Sequence, residues 1–204
     1  MIVTKIEAVT KTKFKVYVDE QFAFMLYKGE LLRFGIVAGN EITQETIDKI
    51  NKEIILKRVR LRAMHLLNQM DRTEQQLRTK LKQNGYTDIM IDQALAYVKS
   101  FGYINDAGYA RRFIMGRMNK KSRKEIFAAL SQKGLDKNVI EEAMEECYEE
   151  HSETEAILDL VRKKKFCMEE ADYKEKEKMY GYLMRKGFSY ESIRQALQVS
   201  SRNA

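Results

Sequence analysis

The pattern of apolar and polar positions changes character near residue 43. Before it, three short runs are rich in β-branched and aromatic residues and partly alternate: residues 2–10 (IVTKIEAVT), 13–19 (KFKVYVD) and 22–27 (FAFMLY). Alternation at a period of two places one face of a strand against a core, so these runs predict a small antiparallel sheet, with residues 19–21 (DEQ) as a hairpin turn. Residues 28–36 (KGELLRFGI) read as a short helix ended by Gly35. Gly39 and Asn40 then turn the chain towards Thr43, a candidate N-cap. From there Ile47, Ile50, Ile54, Leu61 and Leu66 keep helical spacing, which predicts one or two helices running to about residue 68. No strand pattern returns further on.

The rest of the chain states one pattern three times, as LKQNGYTDIMIDQAL (81–95), LSQKGLDKNVIEEAM (130–144) and LMRKGFSYESIRQAL (183–197). Proline is absent from the sequence, so helices must be ended by glycine and restarted by polar caps. Gly85, Gly134 and Gly187 occupy the position where a left-handed residue ends a helix, and Thr87, Asp136 and Ser189 can accept bonds from the amides of the next one. Tyr86, Leu135 and Phe188 lie between stop and start. Ile91, Ile140 and Ile193 follow, with Ala94, Ala143 and Ala196 three residues on, as an apolar stripe. Upstream, Leu77, Ile126 and Met179 continue the stripe, and TEQQ at 73 and SRKE at 122 pair Thr73 with Gln76 and Ser122 with Glu125 as capping boxes. A further helix precedes each: RAMHLL (62–67), YARRFIMGRM (109–118) and EAILDLVRKKK (155–165). Three helices per copy, with glycines 49 and 53 residues apart, predict a helical array in which neighbouring copies bury one another's faces. The extra length of the third copy falls around FCMEEADYKEKEK.

Composition narrows the chemistry. The 204 residues are 44% hydrophobic and 33% charged, and 37 basic against 30 acidic side chains give a net charge of +7, which favours a polyanionic partner without naming one. Cys147 and Cys167 have neither a disulfide framework nor a zinc spacing, and read as packed thiols of a cytoplasmic protein. The N-terminus has no signal-peptide pattern and the chain has no apolar run long enough to span a membrane. His65, between Leu61 and Leu66, reads as a packed or half-exposed helix residue, and His151, beside an acidic run, as a solvated one. The histidines stand far apart and no metalloprotease or phosphate-loop motif is present, so the sequence does not read as an enzyme.

Charge is segregated in the second copy. Residues 111–124 (RRFIMGRMNKKSRK) carry seven basic side chains and no acidic one, and residues 141–150 (EEAMEECYEE) six acidic and no basic one. Glu141, Glu145 and Glu149, and in parallel Glu142, Glu146 and Glu150, stack like charges at every fourth residue, each pair costing about 0.2–0.5 kcal/mol in an isolated helix. Two readings follow. Arg111, Arg112, Arg117, Lys120, Lys121, Arg123 and Lys124 either neutralise that helix or face phosphates or an acidic partner. Arg58, Arg60 and Arg62, and the run Arg162 to Lys165, would extend the same basic face.

The segment GYINDAGYA (102–110), joining the first copy to the second, together with the three leucine–glycine turns, resembles the RecX family of bacterial recombination regulators over residues 58–200. Locally, Asn105 suits an N-cap, Ile104 and Tyr109 the positions of a hydrophobic staple, and Asp106 the positive helix end. Where many members carry a Gly-Pro pair before the second copy's middle helix, this chain reads NKKSRKE. The resemblance implies a mainly α fold of tandem three-helix repeats in an elongated, curved array, preceded by a small β-containing segment. The divisions expected are residues 1–42 for that segment, 43–57 for a connecting helix, and 58–106, 107–150 and 151–204 for the repeats. It also implies a monomeric, cofactor-free regulator that binds and inhibits the RecA recombinase filament on single-stranded DNA, with weaker contact to free DNA and none to membranes, in DNA repair by homologous recombination and the SOS response. The runner-up is a helix-turn-helix reader of duplex DNA, for which the third copy offers Ser192, Arg194 and Gln195 on its last helix. The first two copies place acids there instead, which repel DNA.

Overall fold

The computed structural model describes the backbone of residues 1–149 and 153–200 and the side chains of residues 1–148 and 153–198. Its first elements are three antiparallel strands in the order β1 (Val3–Ala8), β2 (Lys13–Val18) and β3 (Gln21–Tyr27). Alternation makes the inner face: Val16, Val18, Phe24 and Leu26 are buried. The β2–β3 hairpin turns on two residues, Asp19 and Glu20, both with left-handed backbone, and Gln21 already belongs to β3. A turn with both central residues at positive φ matches the twist of the strands, which is why the expected three-residue DEQ turn is shorter by one. Val16 faces Phe24 while Tyr17 faces Phe22, so Ala23 is an extra, bulged residue.

Helix α1 (Lys28–Arg33) ends at Gly35 with φ +61°, as expected. Thr43 caps α2 (Gln44–Ile50), its hydroxyl accepting from the Thr46 amide. α2 runs without a break through a π-helical turn (Asn51–Ile55) into α3 (Leu56–Gln69). The π turn holds one extra residue, so the apolar stripe slips by one position. Ile50 is followed in the core by Ile55, Val59, Ala63 and Leu66, whereas Leu61, expected in the stripe, is 63% exposed. His65, expected packed or half-exposed, is on the exposed side of α3, within 3.1 Å of the Gln69 amide.

The repeats follow as α4 (Glu74–Gln83) and α5 (Asp88–Ser100) after α3, then α6 (Asp106–Met115), α7 (Arg123–Gln132) and α8 (Lys137–Glu149), then α9 (Thr154–Lys163), α10 (Tyr173–Arg185) and α11 (Tyr190–Ser200). Gly85, Gly134 and Gly187 have φ of +84°, +79° and +95°, the backbone that glycine alone adopts without strain. The stripe residues Leu77, Ile91, Ala94, Ile126, Ile140, Ala143, Met179, Ile193 and Ala196 are all buried. A fully buried Leu or Ile contributes about 1.5–3 kcal/mol, so each repeat is held chiefly by this stripe. Two of the three expected caps form: Asp136 accepts from the Asn138 amide at 2.8 Å and Ser189 from that of Ser192 at 3.0 Å. Thr87 has the backbone of an N-cap, but its hydroxyl makes no capping bond. Ser122 and Glu125 form the expected capping box, as do Asp172 and Glu175 in DYKE, which the sequence reading passed over.

The chain forms two compact units, residues 1–72 with 76–104, and residues 73–75 with the chain from 105 onward. In the first, sheet and first repeat share one core, from Val3 through Val98 to Ile104. In the second, α6–α8 and α9–α11 have separate cores, centred on Ile114, Ile126 and Ile140 and on Ile157, Leu183 and Ile193. The seams of this unit repeat one device. The Thr73 hydroxyl, fully buried, donates to the Lys133 carbonyl at 2.7 Å, and the equally buried Ser122 hydroxyl donates to that of Lys186, also at 2.7 Å. Each hydroxyl stands immediately before a middle helix, and each carbonyl belongs to the residue that ends the next middle helix. The last carbonyls of a helix lack partners within it, so a start in one repeat satisfies a stop in the next.

Candidate partner interface

The basic cluster of the second repeat is laid out by α6, the turn after it and the first turn of α7. Asn105 caps α6, accepting from the Gly108 amide at 2.7 Å, and Gly116 ends it earlier than the expected helix through Met118. Arg111 ion-pairs with Glu146 of α8 at 2.8 Å, and that bond raises the guanidinium's affinity for its proton. Lys137 pairs with Glu141 at 3.5 Å, one turn along. The stacked glutamates are therefore partly neutralised from inside the repeat; Glu149, Glu150 and His151 lie outside the described side chains.

Several cations of the cluster lie on rings. Arg117 sits 3.8 Å from the centre of Phe113, which stacks with Tyr109 at 6.3 Å, and Lys133 covers the same two rings at 5.5 and 6.0 Å. Arg123 lies 4.6 Å over Tyr148, while its amide donates to the Glu153 carboxylate at 2.7 Å, an acid at the positive end of α7. Burial, with Glu153 adding to it, pushes the Tyr148 phenol up to about 12. Lys124 is exposed at its end, but its Cβ would be 3.2 Å from a side chain at Gly187, so its stem belongs to the seam. Lys120 and Lys121 are exposed in the turn, with Lys120 near enough to Asp159 to help hold that carboxyl low, mainly through the Lys163 bond. Arg112 is exposed on α6. Sequence placed these seven residues together; in the structure Arg111 is half-buried in its ion pair, Arg117 and Arg123 lie on rings, and all but Arg111 are exposed.

The outlying cations divide in the same way. Arg58 is bound inward, to Glu30 at 2.5 Å and the Met25 carbonyl at 3.0 Å, over the Tyr27 ring. Arg62 donates to Asn84 at 3.0 Å. Together they line a cleft of about 530 Å³ between β3, α3 and the Gly85 turn. Arg60 lies flat on Tyr97, 4.4 Å from its centre. In the third repeat Lys163 pairs with Asp159 at 2.7 Å and Lys164 covers Tyr182.

Cys167 is exposed rather than packed; Cys147 is half-buried, and burial beside Glu146 pushes its thiol up, away from the reactive thiolate. Among the described residues no cluster of His, Cys, Asp and Glu could hold a metal ion, and no helix is long and apolar enough to cross a membrane. Of the α11 side chains proposed for base reading, the Ser192 hydroxyl lies within 3.3 Å of Glu153 and 2.8 Å of the Ser189 hydroxyl, Arg194 bonds Glu191 at the surface, and Gln195 is exposed.

A buried stop-and-start core repeated three times, after a small antiparallel sheet, defines a tandem three-helix-repeat protein. Models of the first, second and third three-helix domains of RecX match residues 60–97, 105–144 and 152–197. The regulatory protein RecX of Caldanaerobacter subterraneus is 33% identical over 202 residues, covering 98% of this chain and 100% of that one, and that of Clostridium botulinum (strain Eklund 17B) is 30% identical, covering 96% and 94%. A crystal structure of regulatory protein RecX superposes with a TM-score of 0.61 at 25% identity over 95% of this chain and 98% of that chain. One of RecX from Lactobacillus salivarius does so with 0.63 at 26% over 70% and 94%. The chain belongs to the RecX family of regulatory proteins.

Proposed function

We propose that this protein binds the RecA recombinase filament on single-stranded DNA and inhibits its strand exchange and ATP hydrolysis, acting without a cofactor or a reaction of its own. The observation that carries this reading is the match of all three repeats to a family of regulators, on a surface that offers cations and rings. Repeated small faces along one chain sum weak contacts through multivalency, which suits a repetitive filament. Within the basic cluster, Lys120 and Lys121, exposed in the turn after α6, are the side chains proposed to face phosphates or acidic recombinase surface, since Arg111 is held by Glu146 and Arg117 and Arg123 lie on rings.

The test is co-sedimentation with recombinase-coated single strands, run beside the recombinase's ATPase. Saturating protein should lower the ATPase rate and shorten the filament's life, and unchanged rate and lifetime would refute the reading. Binding of random duplex equal to binding of the filament would favour direct duplex recognition instead.

A further inference from the structure

Helix α5 ends in a feature that folding alone does not use. Gly102, with φ +71°, follows Phe101; its amide donates to the Lys99 carbonyl at 2.8 Å and that of Tyr103 to Val98 at 3.0 Å. This pair of bonds is the glycine-stopped helix end in which the residue after glycine normally buries an apolar side chain against the last turn. Here the motif fixes the backbone yet leaves Phe101 and Tyr103 each 57% exposed. Their rings are nearly parallel, 19° apart with centres 5.8 Å apart, and Phe101 also touches Tyr97 at 5.0 Å. Tyr97 meets Phe101 at a tilt of 59° and packs on the core, with Arg60 over it, so Phe101 and Tyr103 are the exposed stacked pair and Tyr97 and Arg60 back it.

The surroundings are cationic and polar. On α3, a helix without an acidic residue, Arg60 reaches the rings and Lys57 is exposed, whereas Arg58 and Arg62 are bound at the β3 cleft. Beside Tyr103 lies a trough of about 520 Å³ with Met64 and Leu67 as its apolar part, His65, Asn68 and Asp71 as its polar part. Asp71 is the carboxylate in that lining. A flat, polar-edged, electron-rich ligand on a negative strand matches this combination: rings stack on its face, His65 and Asn68 meet its edge, and Arg60 supplies counter-charge. An apolar protein anchor would match the rings but would strand the polar edge.

We propose that Phe101 and Tyr103, backed by Tyr97 and Arg60, are a stacking platform for the bases of single-stranded nucleic acid. The platform deepens the proposed function, which supplies the single strand but requires no contact with its bases. It is distinct from the basic cluster of the second repeat.

The experiment compares the full chain's affinity for a labelled oligothymidylate with that for an abasic strand of the same length, which keeps the phosphates and lacks the stacking faces. One stacked base should favour the oligothymidylate by roughly 5- to 140-fold. Phe101→Leu with Tyr103→Leu keeps apolar bulk and removes the rings. A folded double variant should lose most of that preference, bind the abasic strand as the parent does, and keep the parent's salt slope. A parent without base preference, or a folded variant that retains it, overturns the inference. So does a variant that binds both strands normally but fails to bind DNA-free recombinase, which would make the stacked pair a protein contact. A parent that ignores the recombinase filament yet shows ring-dependent base preference refutes the proposed function and supports the platform.

Discussion

Replacing Gly134 with alanine tests whether the repeated glycine serves the turn alone or also the seam between repeats. Its φ of +79° charges any L-residue about 1–2 kcal/mol. A Cβ built there would in addition lie 2.4 Å from Gln75 Cγ and 2.6 Å from Gln75 Cβ, and these atoms are near the backbone, where they cannot swing aside. Relieving an overpacked contact of this kind costs about 1–3 kcal/mol, so the total is about 2–5 kcal/mol. Gly102 is the internal control: its φ is +71° with nothing within 4 Å of the added atom, so Gly102→Ala should cost only the backbone part. Urea unfolding of both variants, with amide exchange of α7 and α8 to locate the loss, measures the difference. Gln75→Gly should recover about 1–3 kcal/mol in the Gly134→Ala background and not in the Gly102→Ala background. Equal losses at Gly134 and Gly102, or no coupling to Gln75, would mean that the glycine serves its own turn only.

Ser122→Ala should destabilise by about 1–3 kcal/mol, because it leaves both the Glu125 amide and the Lys186 carbonyl without the buried hydroxyl, and Thr73→Val should cost a similar amount at Lys133; thermal melts with exchange at Lys133 and Lys186 would check both. Tyr148, held up to about 12 against an ordinary phenol near 10, stays neutral when folded, so its contribution is complete below pH 10 and is lost as pH rises from 10 to 12. Tyr148→Phe should therefore flatten the alkaline fall in stability over that window, read from melting temperature against pH. Lys120→Gln with Lys121→Gln should weaken filament binding and its salt dependence with an unchanged melt. Arg111→Gln should mainly lower stability, by under about 1 kcal/mol for so exposed an ion pair, as read by urea unfolding.

Sequence alone determined what is local. Glycine is the residue that ends a helix in left-handed backbone, so Gly85, Gly134 and Gly187 marked their turns, and apolar spacing marked Leu77, Ile126 and Met179 as core because burial follows helical period. The Ser122 box and the Thr43 and Asn105 caps were readable for the same reason: donor and acceptor lie three residues apart on one chain. Tertiary structure decided what depends on distant partners. A π turn of five residues moved Leu61 from stripe to surface, and no periodicity of the residues beyond it signals such a slip. The hydroxyls of Thr73 and Ser122 reach carbonyls 60 and 64 residues away, a spacing without a local signature. Charge was legible as a count and illegible as a site: Arg111, Arg117 and Arg123 read as one basic run, yet at the surface Glu146, Phe113 and Tyr148 each engage one of them, because a long side chain is committed by whatever the fold brings within its reach.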